Sequence, residues 1–420
     1  MGATRKRNLR SGHSIWQRRA LLRFPERRLS QDTRCDVLVI GAGITGAMAA
    51  EQLTDAGLSV VVLDRRGAVR GSTLASTALL QYEIDTPLTK LATRIGRTRA
   101  ERIWRRSRLA LDALRDRTRR LGIAADCSDK SSLYLEGNVL DAAGLRIEAT
   151  ARRRAGFDVR LLSASAVRDA YGIRGRTGLL SDHNLEANPR RLAVGFLRIA
   201  LARGARLYAP VEAVAVEPHA SSVTVLTDQA TIRARHVVFA TGYELPKGVP
   251  RKGHRIATTW AIATRPQPRG LWAGHGFIWE ASDPYLYLRV GPDRRIICGG
   301  EDETFSDAAK RDALSAAKIA ALEGKLAKLL PHVGARADYG WCGNFGTSAT
   351  GTPSIGPVPG MKHCYAVLGY GGNGITFSMM AAQILRGHIC GDGDADADLF
   401  SFTRRFSRLV ASDAKKGQRA

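Results

Sequence analysis

Cys35–Asp64 reads CDVLVIGAGITGAMAAEQLTDAGLSVVVLD, and the fold follows from its four parts. Asp36–Ile40 is a short β-branched apolar run without helical period, as expected for a strand buried on both faces. Gly41-Ala42-Gly43-Ile44-Thr45-Gly46 follows at once, then an Ala-rich helix over Ala47–Ala56 that Gly57 stops. A second buried strand, Ser59–Leu63, ends in Asp64. Gly41 permits the tight turn, Gly43 lets backbone approach a pyrophosphate, and Gly46 lets helix pack close on strand. The helix start offers free N–H groups and partial positive charge to that pyrophosphate. Asp64 is placed to accept from a ribose hydroxyl, and its charge disfavours a 2′-phosphate. Strand, glycines, helix, second strand and terminal acid in one register read as a dinucleotide site.

The chain has 420 residues, enough for two domains, and is 44% hydrophobic and 25% charged, which fits a soluble globular protein. No apolar run approaches the roughly 20 residues that span a bilayer. The net charge of +25 attracts polyanions. Residues 1–34 carry ten Lys/Arg against two acids, so +8 of it sits there. These residues have no apolar core of a secretory signal. Arg18-Arg19-Ala20-Leu21-Leu22 resembles a twin-arginine signal interrupted by Arg23 and Pro25, and its acid-poor character also fits organelle targeting. A basic surface arm anchored by Trp16 is the preferred reading. Six cysteines, at 35, 127, 298, 342, 364 and 390, show no CxxC and no metal spacing. Buried free thiols in a reducing, cytoplasmic compartment are expected, with no metal site.

Beyond Asp64 and Arg65, Gly71-Ser72-Thr73-Leu74-Ala75-Ser76-Thr77 offers backbone and hydroxyl groups to phosphate or ribityl oxygens. Thr86–Leu121 reads as one or two amphipathic helices whose other face is dense in arginine. A solvated face is preferred there over a nucleic-acid groove, because few aromatics are interleaved to stack bases. Helices are expected at Ala142–Ala155 and Pro189–Arg203, and strands at Ser131–Leu135, Ala205–Val216, Ser222–Thr227, Thr231–Arg233 and His236–Ala240. The last strand runs into Ala240-Thr241-Gly242, suited to backbone passing under a cofactor. Antiparallel strands follow at Arg255–Thr264, Gly276–Ala281, Tyr285–Val290 and Arg295–Gly299. Tyr285, Tyr287 and Arg289 alternate and so share a face that can wall a pocket. Asp307–Leu330 reads as helix and Trp341–Pro359 as a Gly/Thr/Pro-rich loop. After the strand Tyr365–Leu368, Gly369-Tyr370-Gly371-Gly372-Asn373-Gly374-Ile375-Thr376 opens a final helix, Phe377–Cys390. One glycine-fronted helix start can hold the pyrophosphate; the other can face an electron-accepting ring and stabilise its negative charge. That favours a flavin over a nicotinamide.

With these motifs in place, the chain resembles the D-amino-acid oxidase / glycine oxidase / sarcosine oxidase family of FAD enzymes. The resemblance rests on the N-terminal glycines with Asp64, the Gly-Ser-Thr segment, the Ala-Thr-Gly strand, and Thr352-Pro353-Ser354-Ile355-Gly356-Pro357 followed by GYGGNGIT, over roughly Cys35 to Phe406. It implies an α/β fold: a Rossmann-like FAD-binding domain interwoven with an antiparallel-sheet substrate domain. The former is expected over 35–97, 186–250 and 341–412, the latter over 98–185 and 251–340, after a basic extension over 1–34. By resemblance Gly41, Gly43, Gly46, Asp64, Ser72 and Thr73 meet the ADP and ribityl parts, Val211 the adenine, and Gly372–Thr376 the flavin pyrimidine edge. The full cofactor set adds Ala42, Ile44, Thr45, Arg65, Gly71, Ser76, Thr77, Ala240, Thr241, Gly242 and Gly371. Substrate-pocket candidates are Gln81, Tyr285, Tyr287, Arg289 and Tyr370.

The departures bear on substrate. Positions where glycine oxidase-like members carry carboxylate-binding arginines fall on Phe345 and Gly372. The sarcosine oxidase-like pair falls on Ala78 and Gln81, and that branch's lysine on Thr376. Loss of bidentate arginines changes an amino-acid site. Either Arg289 or another arginine takes over, or the substrate is an amine without an α-carboxylate. The flavin-linking cysteine position falls on Gly343, so non-covalent FAD is expected. The resemblance implies hydride transfer from the carbon bearing nitrogen to flavin N5, hydrolysis of the imine, and reoxidation by O2 or an electron carrier. No protein acid or base is required, and His254, His275 and His363 are read as structural. Two other readings keep FAD: a dehydrogenase of a hydroxy acid or polyol phosphate, and an RNA-binding flavoprotein acting on a modified base.

Overall fold

The structure is a computed structural model that describes residues 3–4, 6–18, 24 and 26–404. Residues 19–23 of the targeting readings and Phe406 lie outside the described residues. Two sheets organise the rest. In the first, the apolar run expected at Asp36–Ile40 forms the central strand Thr33–Ile40. It pairs in parallel with Val60–Leu63 on one side and Thr231–Phe239 on the other. Arg206–Tyr208 and Cys364–Leu368 extend the parallel set, and Ser354–Pro357 closes one edge antiparallel. Val37 and Val39 are fully buried under helices on one face and Leu38 on the other against Val223 and Val225 of the strand Val223–Thr227, as a both-faces-apolar strand requires. The helices Ile44–Asp55, Pro189–Ala202 and Gly374–Cys390 pack against one another on it. This is the α/β fold that the opening motif implied.

The second sheet has ten strands. Its order runs Arg10–Gly12, Ala337–Ser348, His254–Thr264, Ile296–Glu303, Tyr287–Val290, Phe277–Glu280, Ser128–Leu135, Gly178–Glu186 and Leu79–Leu80, with Val159–Leu162 beside Gly178–Glu186. All its pairings are antiparallel but one, between Phe277–Glu280 and Ser128–Leu135. The helix Ala308–Leu329 packs against the strands 254–264, 296–303 and 337–348.

Several expectations change. Residues 341–348 are not loop: Ala337–Ser348 is a twelve-residue strand paired with His254–Thr264 along its whole length. Its glycines mark close packing, not turns. A Cβ at Gly343 would lie 2.9 Å from that of Ala75, and one at Gly340 2.4 Å from Ile319 Cδ1. The boundary expected at 341 therefore falls inside a strand. The N-terminal segment is no free arm, since Arg10–Gly12 pairs with that strand and Trp16 is buried, donating from Nε1 to Ser76 O at 2.7 Å. Ala205–Val216 splits into Arg206–Tyr208 and Ala213–Pro218 around Pro210, whereas Thr231–Phe239 is one strand, not two. Thr86–Leu121 breaks at Gly96 (φ +86°) into Leu88–Ile95 and Arg97–Arg120. Its arginine face is less solvated than expected. Arg117 grips the buried Glu51 at 2.6 and 2.7 Å, and Arg106, itself buried, meets Asp394 at 3.0 Å. All six cysteines are free; Cys35, Cys298, Cys342 and Cys364 are buried, Cys127 and Cys390 exposed. Among the described residues no helix is long and apolar enough to cross a membrane, and no metal-ligating cluster occurs.

Candidate active site

The two glycine-fronted helix starts meet. Thr45 Oγ1 and Ser378 Oγ lie 2.8 Å apart, and Gly43 and Asn373 line one elongated cavity. At the glycine-turn end, Gly41 adopts φ +114°, and a Cβ there would lie 2.4 Å from Ala240 O, so strand 231–239 does pass close beneath. A Cβ on Gly46 would sit 1.8 Å from Gly41 O, the tight helix–strand approach the motif predicts. Asp64 accepts from the N–H groups of Ala42 (2.9 Å), Arg66 (2.7 Å) and Gly67 (3.1 Å). It thus fixes the turn itself while keeping lone-pair capacity toward the cavity it lines. Burial pushes its pKa up, against those hydrogen bonds. Arg65, which also lines the cavity, pairs with Glu212 at 3.2 Å and with Glu244; Arg66 donates to Glu244 at 2.7 Å.

The other end is walled by aromatic rings. Tyr285 and Tyr287 lie 5.3 Å apart, Trp279 stacks on Tyr134 at 3.9 Å, and Tyr243 meets Tyr370 edge-on at 6.0 Å. Ser132 Oγ accepts from both Gln81 Nε2 (2.8 Å) and Trp279 Nε1 (2.9 Å), which holds two cavity walls together. Asp85 Oδ2 accepts from Gly372 N at 2.8 Å. Glu83 and Asp302 line the same end. Burial raises the pKa of all three acids, that of Asp302 to about 7, with the Asp85 charge adding to it and the Thr259 hydroxyl opposing.

The sequence profile of the family described as "FAD dependent oxidoreductase" (DAO) matches residues 36–387. The chain belongs to this family. It is therefore an enzyme, an FAD-dependent oxidoreductase. The gamma-glutamylputrescine oxidoreductase of Escherichia coli (strain K12) is 26% identical over 378 residues, which cover 87% of this chain and 86% of that protein. Glycine oxidase from Geobacillus kaustophilus superposes with a TM-score of 0.72 at 20% identity, over 89% of this chain and 99% of its own. NikD, an unusual amino acid oxidase, superposes at 0.71 and 20% identity, over 90% and 99%.

The residues of this oxidoreductase fit FAD. Ser72 Oγ and Thr241 Oγ1 line the cavity, are buried, and have no hydrogen-bond partner, so they await one. Of the expected cofactor set, Gly41, Gly43, Ile44, Thr45, Asp64, Arg65, Gly71, Ser72, Thr73, Ser76, Thr77, Val211, Ala240, Thr241, Gly242, Gly371, Gly372, Asn373, Gly374 and Ile375 line the cavity. Ala42, Gly46 and Thr376 do not. Ala42 is packed behind the turn, Gly46 meets Gly41, and the Thr376 hydroxyl donates to Gln81 O at 2.9 Å. Asn373 likewise spends its amide on the carbonyls of Gln81 and Glu83.

Among the substrate candidates, Gln81, Tyr285, Tyr287 and Tyr370 line the cavity and Arg289 does not. The strand carries Arg289 on the tyrosines' face but two residues further along. There its guanidinium donates to Glu186 (2.8 Å) and to the carbonyls of Ala78 (2.7 Å) and Ala187 (3.2 Å). It is an internal tie, unavailable as a carboxylate anchor. None of His254, His275 and His363 lines the cavity. His254 donates to or accepts from Ser354 Oγ, and burial lowers its pKa to about 4. Sequence reasoning missed Glu83, Asp85, Asp302, Tyr243 and Trp279. Glu83 and Asp85 stand in QYEID (81–85), directly after the hydroxyl-rich segment, which is the one local signal. Asp302 and Trp279 carry none, because pairing across the ten-stranded sheet brings them in.

Proposed function

We propose that this oxidoreductase oxidises a C–N bond of an amine or amino acid, with the imine product then hydrolysed. The relatives' named activities on nitrogen compounds carry the reading, and among the described residues no histidine lines the cavity. Removing hydride from an alcohol carbon requires a base for the hydroxyl proton, a role histidine most often fills. An amine expels hydride from its own lone pair. Bound FAD supplies the hydride acceptor. The chain orients the substrate carbon between the aromatic rings and the second helix start, and the rings exclude water. The relatives' names, an oxidoreductase of gamma-glutamylputrescine and oxidases of glycine and other amino acids, support the same class. Non-covalent FAD fits the placement of Cys342. Its thiol lies 3.4 Å from Ser11 Oγ, outside the cavity that its neighbour Gly343 lines.

The test is anaerobic mixing of the holoenzyme with a panel of amines, D-amino acids, N-methyl amino acids and hydroxy acids. Loss of the visible flavin band with nitrogen compounds alone is expected. Bleaching by hydroxy acids or polyol phosphates, and by no amine or amino acid, overturns the reading.

A further inference from the structure

We propose, resting on the C–N reading above, that the substrate is a diamine bound as a monocation. It is oxidised at one nitrogen, as the free amine, and carries on the other an ammonium group, which Glu83, Asp85 and Asp302 receive between aromatic rings.

Asp85 and Asp302 act on Tyr285 at one end of the cavity that Glu83 also lines, and among the described residues no guanidinium or ammonium lines that end. The two arginines that do line the cavity, Arg65 and Arg66, are held at the opposite end by Glu212 and Glu244. Glu83 is 2% exposed; one of its oxygens accepts from Ser181 Oγ, and the other, Oε2, has no partner. Asp302 Oδ1 is also buried and unpartnered. Neighbours on the Asp302 strand are treated differently. Glu301 and Glu303 face Lys318 of the helix Ala308–Leu329 at 3.2 and 2.8 Å, while Asp302 lines the cavity. From the helix Ala142–Arg154, Arg152 is the one cation acting on Glu83. Its Nε is bound by Glu148 at 2.8 Å and it lies over the rings of Trp104 and Tyr134, while Nη1 and Nη2 are buried without a hydrogen-bond partner. One shared cation does not neutralise three acids.

Burying Asp85 and Asp302 with no cation acting on either is costly, so the missing charge is expected from the ligand. The rings of Tyr285, Tyr287 and Trp279 add the negative faces that attract an ammonium group. A substrate α-carboxylate would instead meet like charge, which excludes it. The cation cannot be the nitrogen that is oxidised. An ammonium has no lone pair to expel hydride, so the charge these acids hold belongs to a second nitrogen.

The experiment uses the FAD-loaded full chain, mixed anaerobically with matched series: diaminopropane to diaminohexane, propylamine to hexylamine, and the ω-amino acids of the same lengths. The dissociation constant and limiting rate of flavin bleaching are read for each. The best diamine is expected to bind about tenfold to a hundredfold tighter than its monoamine, as a charge-assisted contact supplies, and the ω-amino acid more weakly than either. Asp302→Asn is expected to collapse the diamine-to-monoamine ratio by about tenfold. Asp85→Asn repeats the test, and a retained flavin spectrum shows that each variant is folded. An ω-amino acid or α-amino acid bound as tightly as the diamine, or Asp302→Asn weakening diamine and monoamine alike, overturns the inference and leaves the C–N reading standing. Bleaching by hydroxy acids alone, when these are mixed with the same holoenzyme beside the series, overturns both.

Discussion

At the glycine-turn end of the cavity Asp64, Glu212 and Glu244 meet four backbone N–H groups and two arginines. At the tyrosine end Glu83, Asp85 and Asp302 line the same cavity and receive the hydroxyls of Ser181 and Thr259, the Asn184 amide and one backbone N–H, and among the described residues no lining arginine. The same residue types thus behave in two ways. Burial works against Glu244 as it does against Asp302. At Glu244, however, hydrogen bonds from Arg66 and from Arg7 N outweigh burial and hold the carboxyl below its usual range. At Asp302 nothing does, and the carboxyl titrates near 7. A compensated site is finished without its ligand. An uncompensated one is completed by it.

The most severe way to break this comparison is to abolish the cavity's glycine-turn end. Gly46→Val places a side chain where Gly41 O already lies 1.8 Å from the Cβ position. Helix and strand must separate, and the purified variant is expected to retain no FAD by its visible spectrum. Next in size, Glu244→Gln leaves Arg65 and Arg66 without their shared partner, so the finished end becomes unfinished. A loss of about 3 kcal/mol in urea unfolding is expected, as for breaking a buried pair.

Phe345→Arg sharpens the comparison from the other side by adding to the cavity lining a guanidinium that Glu212 and Glu244 do not already hold, as they hold Arg65 and Arg66. The variant is expected to lose diamine affinity and gain carboxylate-bearing amines by about tenfold, read by anaerobic flavin bleaching. Unchanged discrimination would mean that charge at this end does not select substrate.

The smallest effect is on stability against pH. The folded state holds the Asp302 proton up to about pH 7, whereas an unfolded aspartate releases it near pH 4. Between those values the native state binds more protons, so stability falls as pH rises through the window and levels off above it. Asp302→Asn removes that fall. Its Tm relative to the parent protein is expected to be higher at pH 8 than at pH 4, by about 2 °C.

Residues 36–64 and 369–376 were legible as a strand–turn–helix–strand unit and as a second glycine-fronted helix start. Each is a local feature in which backbone freedom, apolar period and helix N-terminus lie within one stretch of chain. From these two segments followed the α/β fold, the flavin cofactor and the two glycine turns that line the cavity. Trp341–Ser348 was not legible, because its glycines are spaced by what packs on them, Ala75 and Tyr243 among others, and not by a turn. Arg289 was misplaced for a related reason. Alternation fixes the face of a strand, but the distance along it from Tyr287 to the cavity's edge, and the carbonyls waiting there, belong to other segments. The acids of the tyrosine end are the clearest case. Net charge counts every arginine, yet only the fold decides which carboxylates an arginine reaches; in a chain of net charge +25, three in the cavity are left for something else to meet.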